Sequence, residues 1–222
     1  MSTGEISIGL LGGTGEEGRG LALRWARAGA RVVIGSRAAD RARETAEQLN
    51  KILGNDVISY GDNTRAAQSD FVLLSVPFQH AAATLETVLP QIRPGGTLID
   101  ATVPVSFDKG RVSYAEPPEG SASEHLRALL RADVRLVGAF KTIPAHSMET
   151  LDDELDCDDF VVGDNAEARA RVIEAMRGIS GLRPVDAGGL EGARVIERMT
   201  VLAIGINRRY KIKTARFRVV GL

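Results

Sequence analysis

Three glycines, Gly13, Gly15 and Gly18, follow the apolar run 6–11 and open a helical pattern. That order suits a dinucleotide. One glycine permits a tight turn, the next lets backbone approach a pyrophosphate, and the last lets the helix pack close to its strand. The helix N-terminus then faces the phosphates. Glycines also cluster in ordinary turns, so the motif draws its weight from lying between strand and helix. Roughly twenty residues on, where a carboxylate would accept from an adenosine ribose, the chain instead reads Ile34-Gly35-Ser36-Arg37. Ser36 can donate to a 2′-phosphate, Arg37 can clamp it or stack on adenine, and Arg41 lies one helical turn on. Thr14, inside the glycine turn, can reach the same phosphate. These residues describe an NADP site. The alternative is a solvated helix start with Ser36 as its cap.

In an open α/β sheet the substrate lies beyond the carboxyl ends of the strands. Three stretches that each contain a proline belong there: 75–80, 101–105 and 140–145. Proline fixes the backbone and withholds a donor, which suits a rigid wall beside a planar ring. His80 is the best-placed catalytic acid/base candidate, or else it touches cofactor ribose or backbone from a helix N-terminus. Lys141 either touches substrate or is solvated at a strand end, and His125 falls on a polar helix and reads as exposed. His80, His125 and His146 lie too far apart for metal-ligand spacing, so no metal is expected. No Tyr-x-x-x-Lys or Ser-x-x-x-Lys pair stands where it would protonate a carbonyl oxygen, and there is no nucleophile elbow. A redox site without an obvious proton donor points to hydride transfer between two carriers, where placement of the reacting carbons supplies most of the catalysis.

The elements that must hold these residues alternate. Strand patterns cover 6–11, 31–35, 57–60, 70–76, 97–103, 135–140, 160–163 and 183–186. Helical patterns cover 17–28, 40–53, 79–92, 121–132, 166–176 and 190–206. Strands spaced by helices imply βαβ units, and near-continuous apolar strands imply a sheet covered on both faces. The expectation is an α/β, Rossmann-type doubly wound, mainly parallel sheet with a small C-terminal helical cap. Residues 1–187 form the dinucleotide domain, and residues 188–222 form the cap and a basic tail. The segment 105–120 has no period and reads as a long loop. The chain has 222 residues, 44% hydrophobic, 26% charged and 5% aromatic, with net charge −1. That balance gives nucleic acid no global attraction and no stacking platform. No apolar run reaches membrane-spanning length. The single cysteine, Cys157, reads as a semi-buried small residue in a reducing cytoplasm.

In combination, several blocks resemble the NADPH-dependent reductases of coenzyme F420 across nearly the whole chain. They are Leu10-Leu11-Gly12-Gly13-Thr14-Gly15, Gly35-Ser36-Arg37, Val76-Pro77-x-x-His80, Val103-Pro104-Val105, Thr142-Ile143-Pro144-Ala145 and Gly181-Leu182-Arg183-Pro184. The resemblance implies reversible hydride transfer between NADP and the 5-deazaflavin coenzyme F420. Gly13, Gly15 and the backbone around Glu16 would face the pyrophosphate, and Thr14, Ser36, Arg37 and Arg41 the 2′-phosphate. Val76, Pro77 and His80 would lie near the nicotinamide half, while Ile143, Pro144 and Ala145 would line the deazaflavin. A cytoplasmic homodimer sharing a C-terminal interface is also implied. Two features depart from the family pattern. Lys141 stands where histidine or asparagine would be less surprising, and the tail 207–218 is unusually basic. That strip either guides the phosphate and polyglutamate of F420 or is an edge strand kept soluble by charge. Two other readings stay open: an NADP-dependent reductase of an imine, keto acid or flavin, and a non-enzymatic NADP sensor.

Overall fold

The computed structural model describes residues 6–152 and 154–222. The elements follow in chain order: β1 (Ser7–Leu11), α1 (Glu16–Arg27), β2 (Arg31–Ser36), α2 (Ala39–Leu53), β3 (Ile58–Asp62), α3 (Asn63–Ala66) and β4 (Phe71–Leu74). Next come α4 (Ala81–Val88), β5 (Thr97–Asp100), β6 (Val105–Asp108), β7 (Arg111–Tyr114), α5 (Ala122–Leu129) and β8 (Arg135–Gly138). The chain closes with β9 (Cys157–Val161), α6 (Ala166–Arg177), β10 (Leu182–Asp186) and α7 (Ala193–Tyr210).

Six strands form one sheet in the order β3-β2-β1-β4-β5-β8, every pair parallel. The order reverses between β1 and β4, which is the switch point where doubly wound sheets bind ligands. Alternate residues of each strand feed opposite faces. Ile8, Leu10, Phe71 and Leu73 join the core under α1, α2 and α6. Leu11, Val72, Leu74 and Leu98 join the core under α4 and α5. Both faces are covered, which is why the strands read as continuous apolar runs.

The glycine turn is built as the spacing requires. Gly12 has φ +78°, the left-handed region that favours glycine. A Cβ on Gly18 would meet the Cα of Gly13 at 2.8 Å, so only glycine lets α1 approach the turn this closely.

Four expectations are corrected. The stretch 105–120 is not one aperiodic loop. Val105–Asp108 and Arg111–Tyr114 pair antiparallel as a hairpin. Its two-residue turn, Lys109 and Gly110, has positive φ at both positions, a twist that matches the strands. The helix expected over 79–92 is broken into Ala81–Val88 between two 3-10 turns, Phe78–His80 and Leu89–Gln91, the second carrying Pro90. The strand expected over 135–140 stops at Gly138, and Phe140 turns the chain with φ +61°. The basic tail is not an edge strand. Its first residues, 207–210, are the last turn of α7, and the rest runs without regular structure back across β9, where Asp158 N–H donates to Phe217 O at 2.8 Å.

Candidate functional site

A cleft crosses the carboxyl ends of β1, β2, β4 and β5 and has two arms. The first is lined by Thr14, Ser36, Arg37, Arg41, Asn63 and His80. The second encloses about 530 Å³, with Glu16, Glu17, Val103, Ile143, Pro144 and Ala145 in its wall. Gly15, Ser75, Val76 and Pro77 line both arms, so one elongated ligand can run through their junction. Gly13 and Gly18 line neither. Both are buried, and Gly13 N–H donates to Gly35 O at 3.2 Å. Their work is to shape the turn beneath the ligand.

The first arm is chemically one-sided. No carboxylate is among its lining residues. Arg37 and Arg41 are exposed at its edge, with no ion-pair partner among the described residues. Ser36 is buried and its Oγ accepts from Ala38 N–H at 3.2 Å, which leaves the hydroxyl proton to donate outward. The first turn of α1 has no side-chain cap, so its N–H groups stay available to an anion. Two unpaired guanidinium groups, a hydroxyl and an uncapped helix end fit a dinucleotide with an extra phosphate. His80 belongs to this arm and not to the second, so it stands on the side of Arg37 and Arg41. Asn63 was not singled out from sequence. Its Oδ1 is sealed from solvent, without a hydrogen-bond partner among the described residues.

The second arm has a predominantly apolar wall suited to flat rings. Val76, Pro77, Val103, Ile143, Pro144, Ala203 and Ile204 face into it, the last two from α7. The turn that carries Ile143 and Pro144 is pinned from below. The Asp159 carboxylate accepts from the N–H of Phe140, and from Thr142 N–H at 3.3 Å and Thr142 Oγ1 at 3.0 Å. Phe140 packs edge-on to Trp25 at 5.1 Å. Thr200 Oγ1 of α7 donates to Lys141 O at 2.5 Å. Burial pushes Asp159 up to about 6, against the opposing pull of those hydrogen bonds and of Lys141. At the rim, His146 Nδ1 and Glu16 Oε1 pair at 3.1 Å across the mouth.

Lys141 is not solvated at a strand end, although it is among the residues that line the second arm. Its side chain is fully buried, with Nζ 2.7 Å from Asp100 Oδ2, 3.1 Å from Glu197 Oε1 and 2.6 Å from Thr102 O. Asp100 also accepts from Thr102 N–H at 2.8 Å and Ser123 Oγ at 2.7 Å. Glu197 accepts from Tyr114 Oη at 2.7 Å and Ala122 N–H at 2.9 Å. Burial works against the charge on Lys141, but the Asp100 and Glu197 carboxylates outweigh it and hold the amine above its usual value. The network ties β5, the β6–β7 hairpin, α5, α7 and the 140–145 turn behind the cleft. His125 is likewise not simply exposed. It is half-buried, edge-on to Phe78 at 5.6 Å and 3.0 Å from Glu119.

Several of these residues escaped the sequence reading. Asp159 gave no signal, since it ends the acidic stretch 152–159 and lies just before the strand expected over 160–163. Glu197 gave none, because a glutamate on a helix is ordinarily solvated. Cys157 is buried and free, and burial with Asp159 nearby pushes its thiol up to about 12. The basic strip is partly neutralised within the chain: Arg218 lies 2.9 Å and Arg216 3.7 Å from Asp156. Lys213 remains in the wall of the second arm. No cluster of metal-ligating side chains occurs among the described residues, and no helix of these residues is long and apolar enough to cross a membrane.

Comparison with known proteins agrees with this geometry. The family model described as NADP oxidoreductase, coenzyme F420-dependent, matches residues 7–104. The F420-dependent NADP reductase of Methanothermobacter thermautotrophicus is 40% identical over 98% of this chain and 96% of its own length. The one from Methanocaldococcus jannaschii is 34% identical over 98% of this chain and 99% of its own length. A crystal structure from Arthrobacter sp. FB24 superposes with a TM-score of 0.81 at 21% identity, covering 97% of this chain and 99% of that one, which establishes the common fold. With the two-armed cleft and the carboxylate-free Ser36–Arg37–Arg41 corner already in place, similarity of this length and degree shows that the chain belongs to the family of F420-dependent NADP reductases.

Proposed function

We infer that this chain transfers a hydride reversibly between NADP(H) and the 5-deazaflavin coenzyme F420. One observation carries the inference. A carboxylate-free, cationic arm meets an apolar arm at Gly15, Ser75, Val76 and Pro77, so a dinucleotide ring and a second flat ring can face each other there. Thr14, Ser36, Arg37 and Arg41 take the 2′-phosphate. Gly15 and the first turn of α1, including the backbone of Glu16, take the pyrophosphate. Val76 and Pro77 support the nicotinamide half. His80 reads as a binding contact to the dinucleotide, because it stands in the phosphate arm. Ile143, Pro144 and Ala145 line the deazaflavin. The two ligands supply the redox chemistry, and the protein supplies their approach at about 3–3.5 Å and the exclusion of water.

We read residues 188–222 as a cap that closes the second arm through α7. Two copies are proposed to join along the outward face of that helix, where Val195 and Leu202 are exposed one heptad apart. The cytoplasm is the proposed compartment, in keeping with an unpaired, buried Cys157.

The test is turnover with purified F420 and NADPH, followed by deazaflavin absorbance and by stereospecific transfer of label from nicotinamide C4. Label arriving at C5 of F420 is expected. Reduction of an imine or keto acid while F420 is left untouched would replace this reading with the other reductase. NADP binding with no turnover of any of them would make the chain a sensor.

A further inference from the structure

Glu17 is the second residue of α1, two positions past Gly15, and forms part of the second arm's wall with Val76, Pro77 and Thr102. Its Oε1 is sealed from solvent, and the carboxyl has no hydrogen-bond partner among the described residues. Natural proteins rarely leave a buried side-chain oxygen unpaired, and each exception calls for a reason. The groups facing it are Asp159 of β9, Asp100 at the end of β5, and Lys141 after β8. Lys141 is already engaged by Asp100 and Glu197. The rim pair Glu16 and His146 completes the charged groups of this arm wall apart from Lys213.

We propose that Glu17 is a binding residue for the nicotinamide, its carboxyl pairing with the primary carboxamide by donating to the amide oxygen and accepting from the amide N–H. This rests on the NADP reading of the cleft. Position favours the carboxamide, because the first turn of α1 faces the pyrophosphate and the nicotinamide half is the next part of the ligand toward Val76 and Pro77. Chemistry favours it too. A protonated carboxyl offers one O–H donor and an acceptor, and a primary amide presents the complement of both. Terminal rotation of a glutamate side chain is soft, so either oxygen can turn to the cleft. Burial first, then repulsion by Asp159, pushes Glu17 up to about 8 despite the pull of Lys141, so the carboxyl carries its proton at neutral pH.

A consequence follows for pH. The protonated carboxyl pairs with the carboxamide of both redox forms. Once ionised it loses its donor, but it attracts the cationic ring of NADP⁺ and not the neutral ring of NADPH. Rising pH therefore shifts relative affinity toward NADP⁺. The 2′-phosphate titrates identically in both ligands and cancels in their ratio.

The experiment measures dissociation constants of NADP⁺, NADPH and 2′,5′-ADP between about pH 6 and about pH 9.5, without F420. It uses the wild type, Glu17→Gln and Glu17→Leu. In the wild type the ratio Kd(NADPH)/Kd(NADP⁺) is expected to rise about tenfold across the range, the equivalent of one pK unit of coupling. In Glu17→Gln, which keeps a donor and an acceptor but cannot titrate, the ratio stays flat and NADPH binds within a few-fold of wild type at low pH. Glu17→Leu loses about tenfold for NADPH, a factor typical of one hydrogen bond, and nothing for 2′,5′-ADP. An infrared carbonyl band of a protonated carboxyl, present in wild type and absent from Glu17→Gln, should move when NADPH binds. A wild-type ratio independent of pH, the same slope in Glu17→Gln, or undiminished NADPH affinity in Glu17→Leu overturns the proposal alone. Failure of 2′,5′-ADP to bind the wild type overturns the NADP reading and the proposal with it.

Discussion

Ser36 and Arg37 line the first arm at the end of β2, where the proposed dinucleotide would place its adenosine ribose, with Arg41 a turn away, and none of the three meets a carboxylate. Ser36→Asp combined with Arg37→Ala places a like charge against the 2′-phosphate and removes a clamp. A hydrogen bond to a charged group contributes roughly 1.5–3 kcal/mol, so NADPH affinity should fall by about a hundredfold or more. NADH affinity should change far less, and equal losses measured by calorimetry would remove the phosphate assignment. Lys141 carries a different kind of energy. Lys141→Met leaves Asp100 and Glu197 sealed without their cation, and breaking a buried pair in this way costs about 3–5 kcal/mol. A marked fall in Tm is expected, with partial recovery when Asp100→Asn and Glu197→Gln are added. Glu17 links the site to stability. Its folded value of about 8 lies above the ordinary 4.5, so the folded state holds the proton longer than the unfolded chain. The stability from that proton is present below about pH 4.5 and is lost as pH rises toward 8. The Tm of the wild type should therefore fall relative to Glu17→Gln across that window, and the gap should stop growing above it.

At the level of elements, the 140–145 turn is held by what lies beneath it. Three hydrogen bonds to Asp159 fix a chain reversal at Phe140, a large residue with positive φ that would not adopt this conformation unaided. Asp159→Ala should loosen Ile143 and Pro144 against the second ring. The KM for F420 should rise about tenfold or more, in line with lost charge-assisted hydrogen bonds, while 2′,5′-ADP binding stays unchanged. Asp159→Asn keeps one acceptor and should fall between. Most elements were legible from period and punctuation: the apolar strands, Gly29 and Gly54 after their helices, and the proline-bearing strand ends. The β6–β7 hairpin was legible in principle. Val105, Phe107, Val112 and Tyr114 alternate with polar neighbours about a Lys-Gly turn, but the following Pro117-Pro118 made the whole stretch look irregular. The break in the 79–92 helix was harder to read, because Pro90 lies where a helix already ends.

For the molecule as a whole, α7 serves two surfaces. Its inner face supplies Thr200, Ala203 and Ile204 to the cleft and Glu197 to the buried network. Its outer face leaves Val195 and Leu202 exposed, a short apolar stripe of the kind a self-complementary interface uses. Val195→Lys with Leu202→Lys should convert a dimer to monomers in light scattering while NADP binding at the far arm persists. An unchanged mass would place the interface elsewhere. The tail 212–222 folds back on β9 and β10 through backbone bonds to Arg183 and Asp158, and Arg216 and Arg218 pair with Asp156, so part of its charge is spent inside the chain.

The sequence by itself determined the doubly wound sheet, the glycine turn and the preference for a 2′-phosphate, because period, turn chemistry and the residue type at a strand end are local properties. Only the tertiary structure decided which groups share a site and in what protonation state. Asp100, Lys141, Asp159 and Glu197 come from four separate elements, and Glu17 acquires its character from being enclosed among three of them. Burial and the company of other charges are properties of packing, and no spacing along the chain records them.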